Sequence, residues 1–330
     1  MFRRTICKIN PLSYLLKFDD CIMKGLLLMD SWKKIPVTED VQKLISDVTI
    51  SNDYLDDMNV INQYINITQS LNRIYQWYHI FNYNYNKIMN LYPDGDIYAM
   101  NSHVIALVSA GRNIVESIRM CANNTFDLNE KDKFKRNYIS KEYDSHFSYR
   151  FMETMRNFTQ HCEIPVSNHD KTPYFDLTQI YEVSDFKFNA KIKAEVKKIM
   201  DEISSRKGDT FKLAFIPTVL SYCCSVYRIF IAFTDEVKSS LAEKYSLIQQ
   251  EIKEKPYLIF HNNNPEFQGF IVYIVEDDRK DNSKNTDHLH YFNPKDNPMI
   301  VHEKITKDCI GRYELSEKNL VEIKNTMDPI

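Results

Sequence analysis

The chain has 330 residues, enough for two average domains or one larger one, and its 43% hydrophobic and 26% charged residues fit a folded protein and exclude long disorder. Its net charge of −3 excludes the globally basic surface of a protein that holds nucleic acid chiefly through phosphate contacts. Six glycines and 11 prolines are too few for the many tight turns of an all-β sandwich or barrel, so helices are favoured.

The N-terminus offers Arg3 and Arg4, but Lys17, Asp19 and Asp20 cut the apolar stretch behind them, and Gly25 to Met29 is far too short to span a bilayer. Neither a signal peptide nor a membrane anchor is expected. Residues 1–50 read as a segment that packs on the helical body. From Asp53 to about Leu91, Val60, Tyr64, Ile67, Leu71, Tyr75 and Tyr78 recur at helical spacing, and Pro93-Asp94-Gly95 makes a turn. The aromatic cluster Tyr75, Trp77, Tyr78, Phe81, Tyr83 and Tyr85 could stack bases, but its helical spacing reads as core.

Asp96 has N-cap chemistry, and a stripe from Met100 through Leu107 and Ile114 to Ile118 predicts a second helix to roughly Cys121. The polar segment Asn123 to Asp132 reads as a connection. Phe134, Tyr138, Phe147, Phe151, Met155 and Phe158 suggest helix again, ended by Pro165. Further helices are expected over Phe188 to Ile203 and Pro217 to Lys253, with Pro217 opening or kinking the second. Beyond Pro256, Tyr257 to His261, Phe270 to Val275 and His288 to Phe292 carry strand signals between Asn, Pro and Asp clusters. The expected architecture is mainly α: a helical domain over 51–255 and a small mixed α/β C-terminal region over 256–330.

Seven cysteines without CxxC spacing, including Cys223-Cys224, look like reduced core thiols in a cytoplasmic protein and not a disulfide or zinc framework. His288, His290, His302 and Cys309 are metal-ligand types, but strand residues at i and i+2 share a face for packing reasons too. No metal and no cofactor is expected. No Walker loop, G-x-G-x-x-G, H-E-x-x-H or G-x-S-x-G occurs, which removes the usual support for those enzyme classes.

Near the end of the helix before Pro165 stands Arg156-Asn157-Phe158-Thr159-Gln160-His161. Metal-free RNA cleavage needs a group that takes the 2′-hydroxyl proton, another that protonates the leaving 5′-oxygen, and a cation over the phosphate. Histidine exchanges protons near neutral pH, and arginine stays charged and meets phosphate oxygens bidentately. Asn157 and His161 at i and i+4 share a helix face, with Arg156 beside them on a long side chain. The structural alternative is a helix-end histidine with Arg156 paired to Glu153 or Glu163 on the surface.

This run resembles the R-x(4-6)-H signature of HEPN domains, in which a polar residue, often Asn, follows the arginine. The resemblance reaches loosely over the preceding long helices and not beyond Pro256. It implies a helical bundle that dimerises and joins two motifs in one cleft, cleaving RNA without metal, with Arg156, Asn157 and His161 as catalytic residues. Toxin or anti-phage roles, an RNA substrate, a homodimer and an antitoxin or regulatory partner belong to the same implication. The alternative is a non-catalytic HEPN-like module that binds nucleotides or a partner protein.

Arg112 and Asn113 on the second helix, with Glu116 beyond, could line the same cleft, since long helices of a bundle face one another. An exposed Arg112–Glu116 pair is the plainer reading. Lys187, Lys191, Lys193, Lys197 and Lys198 against Glu195 form a basic stretch that either guides RNA phosphates or is a solvated helix face; Lys191, Lys197 and Lys198 are the substrate-binding candidates.

Overall fold

The computed structural model describes residues 34–36, 52–93, 95–169, 172–182, 190–204, 211–254, 270–274, 288–292 and 298–326. The chain divides into two units: Met1–Ile65 with Leu241–Glu303, and Asn66–Ser240 with Lys304–Ile330. These bounds follow contacts, whereas the division expected at 51 and 256 followed a change in sequence character.

The first unit holds an antiparallel sheet of β1 (Lys34–Pro36), β5 (Phe270–Ile274) and β6 (His288–Phe292), in the order β1-β6-β5. Ile271 faces Tyr291 and Val272 faces His290 across the hairpin, so two of the three expected strand runs pair with each other. The third, Tyr257 to His261, lies outside the described residues. Of the N-terminal segment expected to pack on the helical body, residues 34–36 are described, and they pair with β6, Lys34 opposite His290.

The second unit is mainly helical. Its helices are the later part of α1 (Asn52–Leu91), then α2 (Ile97–Thr125), α3 (Leu128–Phe134), α4 (Lys141–Ser145), α5 (Phe147–His161), α6 (Leu177–Glu182), α7 (Ala190–Ser204), the first part of α8 (Phe215–Glu254) and α9 (Pro298–Thr326) from Lys304 onward. The Asp96 carboxylate accepts hydrogen bonds from the Tyr98 and Ala99 amides at 2.7 and 3.3 Å, which is the expected cap.

Three segments depart from expectation. Asn123 to Asp132 is not a connection: α2 runs on to Thr125, whose hydroxyl bonds back to the Cys121 carbonyl, and Asp127 opens α3 with Glu130 in a reciprocal capping box. Phe134 to Phe158 is not one continuous helix, because Lys135–Ser140 form a π-helical turn and His146 is extended between α4 and α5. The stretch after Pro165 contains an unexpected sheet of β2 (Val166–His169), β3 (Thr172–Asp176) and β4 (Lys212–Ala214), in the order β2-β3-β4. The C-terminal region also includes the 29-residue α9, more helix than its strand-like runs suggested.

The core of this unit is aromatic. Tyr75, Tyr78 and Phe81 of α1 are fully buried, and the Tyr78 ring lies 4.8 Å from Phe230 of α8 while Phe81 meets Tyr227 edge to face at 5.6 Å. Tyr75, Tyr78, Phe81 and Tyr85 are therefore core, as the spacing indicated, whereas Trp77 is half-buried and Tyr83 is 57% exposed under the Lys87 ammonium. Two buried tyrosine hydroxyls find partners: Tyr227 donates to Asn82 at 2.7 Å, and Tyr78 donates to Asp308 of α9 at 2.6 Å. Gly111 lets α2 approach α8, since a Cβ there would fall 2.3 Å from the Tyr222 hydroxyl oxygen.

Phe215–Ser240 of α8, with mean hydropathy 1.5, is long and apolar enough to cross a membrane, and 72% of that window is buried inside the chain. Pro217 sits in its first turn, where a missing N–H costs nothing. Cys121, Cys223, Cys224 and Cys309 are buried free thiols, and burial pushes Cys121 up to about 11 and Cys224 to about 12, which keeps them protonated and unreactive. Cys7 and Cys21 lie outside the described residues.

Candidate functional site

α5 carries the motif, and its own sequence explains its placement. Phe151, Met155 and Phe158 repeat at helical spacing and are buried to within 1% exposure, which fixes one face inward and turns Asn157, Gln160 and His161 outward. The helix closes where the Cys162 amide donates to the Phe158 carbonyl at 2.8 Å. Just beyond, Asn101 of α2 clamps Val166 from both sides: its amide donates to the Val166 carbonyl at 2.8 Å and its oxygen accepts from the Val166 amide at 3.0 Å. The end of α5 is thus held by α2 through the strand that follows it.

Asn157 and His161 are exposed, one turn apart on the last turns of α5. Arg156 is half-buried, its Nε is enclosed without a hydrogen-bond partner, and its carbonyl accepts from the Thr159 hydroxyl at 2.8 Å. The surface pairs considered for Arg156 do not form. Glu153 is buried, 9% exposed, and is held instead by Arg112 of α2, whose Nη1 donates to Oε2 at 2.9 Å, while the Tyr222 hydroxyl donates to Oε1 at 3.4 Å. Glu163 accepts from the Gln179 side chain. Burial raises the Glu153 pKa above the ordinary carboxylate range, against the opposing pull of Arg112, the Tyr222 hydroxyl and the nearby charge of Arg156.

Arg112 also reaches Glu116 at 3.3 Å, the i,i+4 pair expected, and Asn113 beside it is half-buried. Both Arg112 and Arg156 act on one carboxylate, which ties α2 to the motif helix. From the sequence Glu153 was read only as a surface partner of Arg156, and not as a buried carboxylate. The signal was there: a carboxylate inside Phe151-Met152-Glu153-Thr154-Met155, on the face that α5 buries.

The basic stretch has two characters. Lys187 lies outside the described residues, but Lys191, Lys193, Lys197 and Lys198 are exposed on α7, whose Ile192 and Val196 are fully buried. Lys191 pairs with Asp144 at 2.9 Å, Lys198 stands 3.8 Å from Glu202, and Lys193 covers the Tyr181 ring at 5.3 Å. Glu195 on the same helix receives Arg150 of α5 in a two-pronged pair at 2.6 and 3.0 Å. α7 therefore docks on the first half of the motif helix with its lysines facing water.

An open cleft of about 290 Å³ lies next to the motif helix and not at its last turn. Arg112, Glu116 and Arg119 of α2 form one wall, and Tyr149 and Glu153 of α5 reach its floor. Ile139 and Ser140 enter from the π-helical turn, and Tyr143 and Asp144 from α4. Among the described residues no group of three or more His, Cys, Asp and Glu side chains could hold a metal ion. No protein-family model, no curated protein and no solved structure matches the chain.

Proposed function

We propose that the helical body is a HEPN-like domain that acts as a metal-independent endoribonuclease, with Arg156, Asn157 and His161 at its site and a second copy completing it. One observation carries this reading: the last turns of α5 offer an imidazole and a carboxamide to solvent on one face, beside a guanidinium with an uncommitted Nε. In the proposed reaction, His161 of one copy takes the 2′-hydroxyl proton as the 2′-oxygen bonds to phosphorus. The P–O5′ bond then breaks, and the imidazolium His161 of the second copy returns a proton to the departing oxygen. Arg156 covers the non-bridging oxygens as charge grows, and Asn157 donates to phosphate or ribose. The products carry 2′,3′-cyclic phosphate and 5′-hydroxyl ends. Lys191, Lys197 and Lys198 would steer the RNA, Lys191 after leaving Asp144.

The test incubates purified protein with RNA in EDTA beside His161→Ala and Arg156→Ala. Cyclic-phosphate ends, lost in both variants, support the reading. A need for divalent metal, or equal cutting of single-stranded DNA, overturns it. The second reading, a non-catalytic module that binds a nucleotide or a partner, is favoured by one observation: the cleft is lined by Arg112 and Arg119, away from the last turn of α5.

A further inference from the structure

The cleft between α2, the π-helical turn, α4 and the first turns of α5 is built from residues that the motif leaves unused. α2 places Arg112, Glu116 and Arg119 at i, i+4 and i+7, on one stripe. Glu116 is shared between the two arginines, 3.3 Å from Arg112 and 3.8 Å from Arg119. The other carboxylates are taken: Asp144 by Lys191 at 2.9 Å, and Glu153 by Arg112 at 2.9 Å.

Of the two arginines that line the cleft, Arg119 is the more loosely held. Its side chain is 51% exposed, and its nearest carboxylate lies beyond hydrogen-bond distance. A guanidinium carries five N–H donors in a planar fork that stays charged at any working pH, and Arg119 spends none of them on a hydrogen bond, its contact with Glu116 being an ion pair at 3.8 Å. Lys191 lies outside the lining and is held on Asp144, so Arg112 and Arg119 are the cations that line the cleft.

The rest of the lining has another chemistry. Val115 of α2 and Ile139 are apolar, and the half-buried Tyr143 ring stands edge to face with Tyr149 at 6.4 Å. Ile139 and Ser140 arrive from a π-helical turn, a costly departure from α geometry that recurs at functional sites because it re-aims side chains. A volume near 290 Å³ suits one small molecule and no more.

We infer that this cleft binds a phosphomonoester carrying a flat ring, its phosphate gripped by Arg119 and Arg112 in place of Glu116 and its ring laid against Tyr143, Val115 and Ile139. A phosphate dianion offers three acceptor oxygens to the two forks, more than the single Glu116 carboxylate that now bridges them. The inference goes beyond RNA cleavage and needs no chemistry at His161. The same group is presented by a free small metabolite and by the 5′-monophosphate end of an RNA, and binding distinguishes the two.

The experiment titrates the full chain by calorimetry with uridine 5′-monophosphate, uridine, and a short RNA with and without a 5′-phosphate. Both phosphorylated probes bind if the cleft is open to free metabolites and RNA ends alike, and the phosphorylated RNA alone binds if the RNA end is the ligand. Either result must be lost in Arg119→Glu and weakened about 10- to 100-fold in Arg119→Ala. Lys318→Ala, which removes an exposed charge on α9, leaves it unchanged. Arg119 makes no hydrogen bond that its loss would break, and matching urea unfolding curves confirm that its variants fold. Uridine binding as well as its monophosphate, binding indifferent to Arg119→Glu, or no binding of either phosphorylated probe overturns the inference. Because the readout is binding, its failure is separate from any failure to cleave RNA.

Discussion

The two halves of α5 treat charge in opposite ways. In the first half Arg150 is 4% exposed and Glu153 is 9% exposed, and each is matched: Arg150 to Glu195 and the Tyr143 carbonyl, Glu153 to Arg112 and Tyr222. In the second half Asn157 and His161 face water, and the enclosed Nε of Arg156 has no partner. A buried charge is tolerated only when paired, so the first half is committed to holding helices together. The second half is free of that duty, and this is the physical ground for placing chemistry there.

The largest effect that would sharpen this contrast is expected from Arg150→Ala. Its guanidinium spans α5, α7 and the end of α4, and removing it strands Glu195 at a docked helix. Glu195 keeps 29% of its side chain exposed, so breaking the pair from one side costs less than a fully buried pair would, about 1–3 kcal/mol. Urea unfolding checks it, and a loss below about 1 kcal/mol would mean that the first half of α5 is not the structural half.

His161→Ala comes next, with the opposite signature. Stability should stay within about 0.5 kcal/mol, because the side chain is exposed at a helix end. RNA cleavage should fall about 10²- to 10⁴-fold. A stability loss without a change in cleavage would reverse the roles given to the two halves.

A third test uses pH. Burial raises Glu153 above its ordinary value of 4.5, so the folded state binds its proton more tightly than the unfolded state does. The sign follows: the contribution of this group is fully present below about pH 4.5 and declines as pH rises through the folded value. Glu153→Gln removes the titration. The stability of the natural chain minus that of the variant should therefore fall as pH is raised from 4 to 7 in paired denaturation series. A difference that grows with pH would show that Arg112 and Arg156 outweigh burial and hold the carboxylate ionised.

Much of this arrangement was legible in the sequence. The long helices, the Asp96 cap and the aromatic core came from apolar spacing and local cap chemistry, which act within a few residues. Asp127 with Glu130 was also a local signal, but the polar run around it read as a connection and hid the capping box. The π-helical turn and the β2–β3–β4 sheet could not be read this way, because tertiary packing decides both; Phe175 and Leu213 pair across 38 positions of sequence. For the same reason the motif residues were found and the partner of Glu153 was not. Arg112 lies 41 residues away, and nothing in its neighbourhood distinguishes a guanidinium bound to the exposed Glu116 from one that also reaches a buried carboxylate.

A small stability effect is expected from Arg156→Ala, and it separates the two arginines of this helix. Arg150 and Arg156 share α5, yet every donor group of Arg150 is engaged while the Nε of Arg156 is buried and unbonded. An enclosed N–H without an acceptor costs about 1–3 kcal/mol of lost hydration, so deleting it returns that penalty. Against this stand the apolar contacts of the side-chain stem and the attraction of Arg156 for Glu153, which lowers the carboxyl pKa. These terms oppose each other at similar size, and the net change should lie within about 1 kcal/mol of zero. Urea unfolding of Arg156→Ala beside Arg150→Ala measures both on one scale. A loss as large as that of Arg150→Ala would make Arg156 a packing residue and remove the guanidinium from the proposed reaction. A near-zero change with cleavage lost would show a charge kept at a structural disadvantage, which packing alone gives the chain no reason to retain.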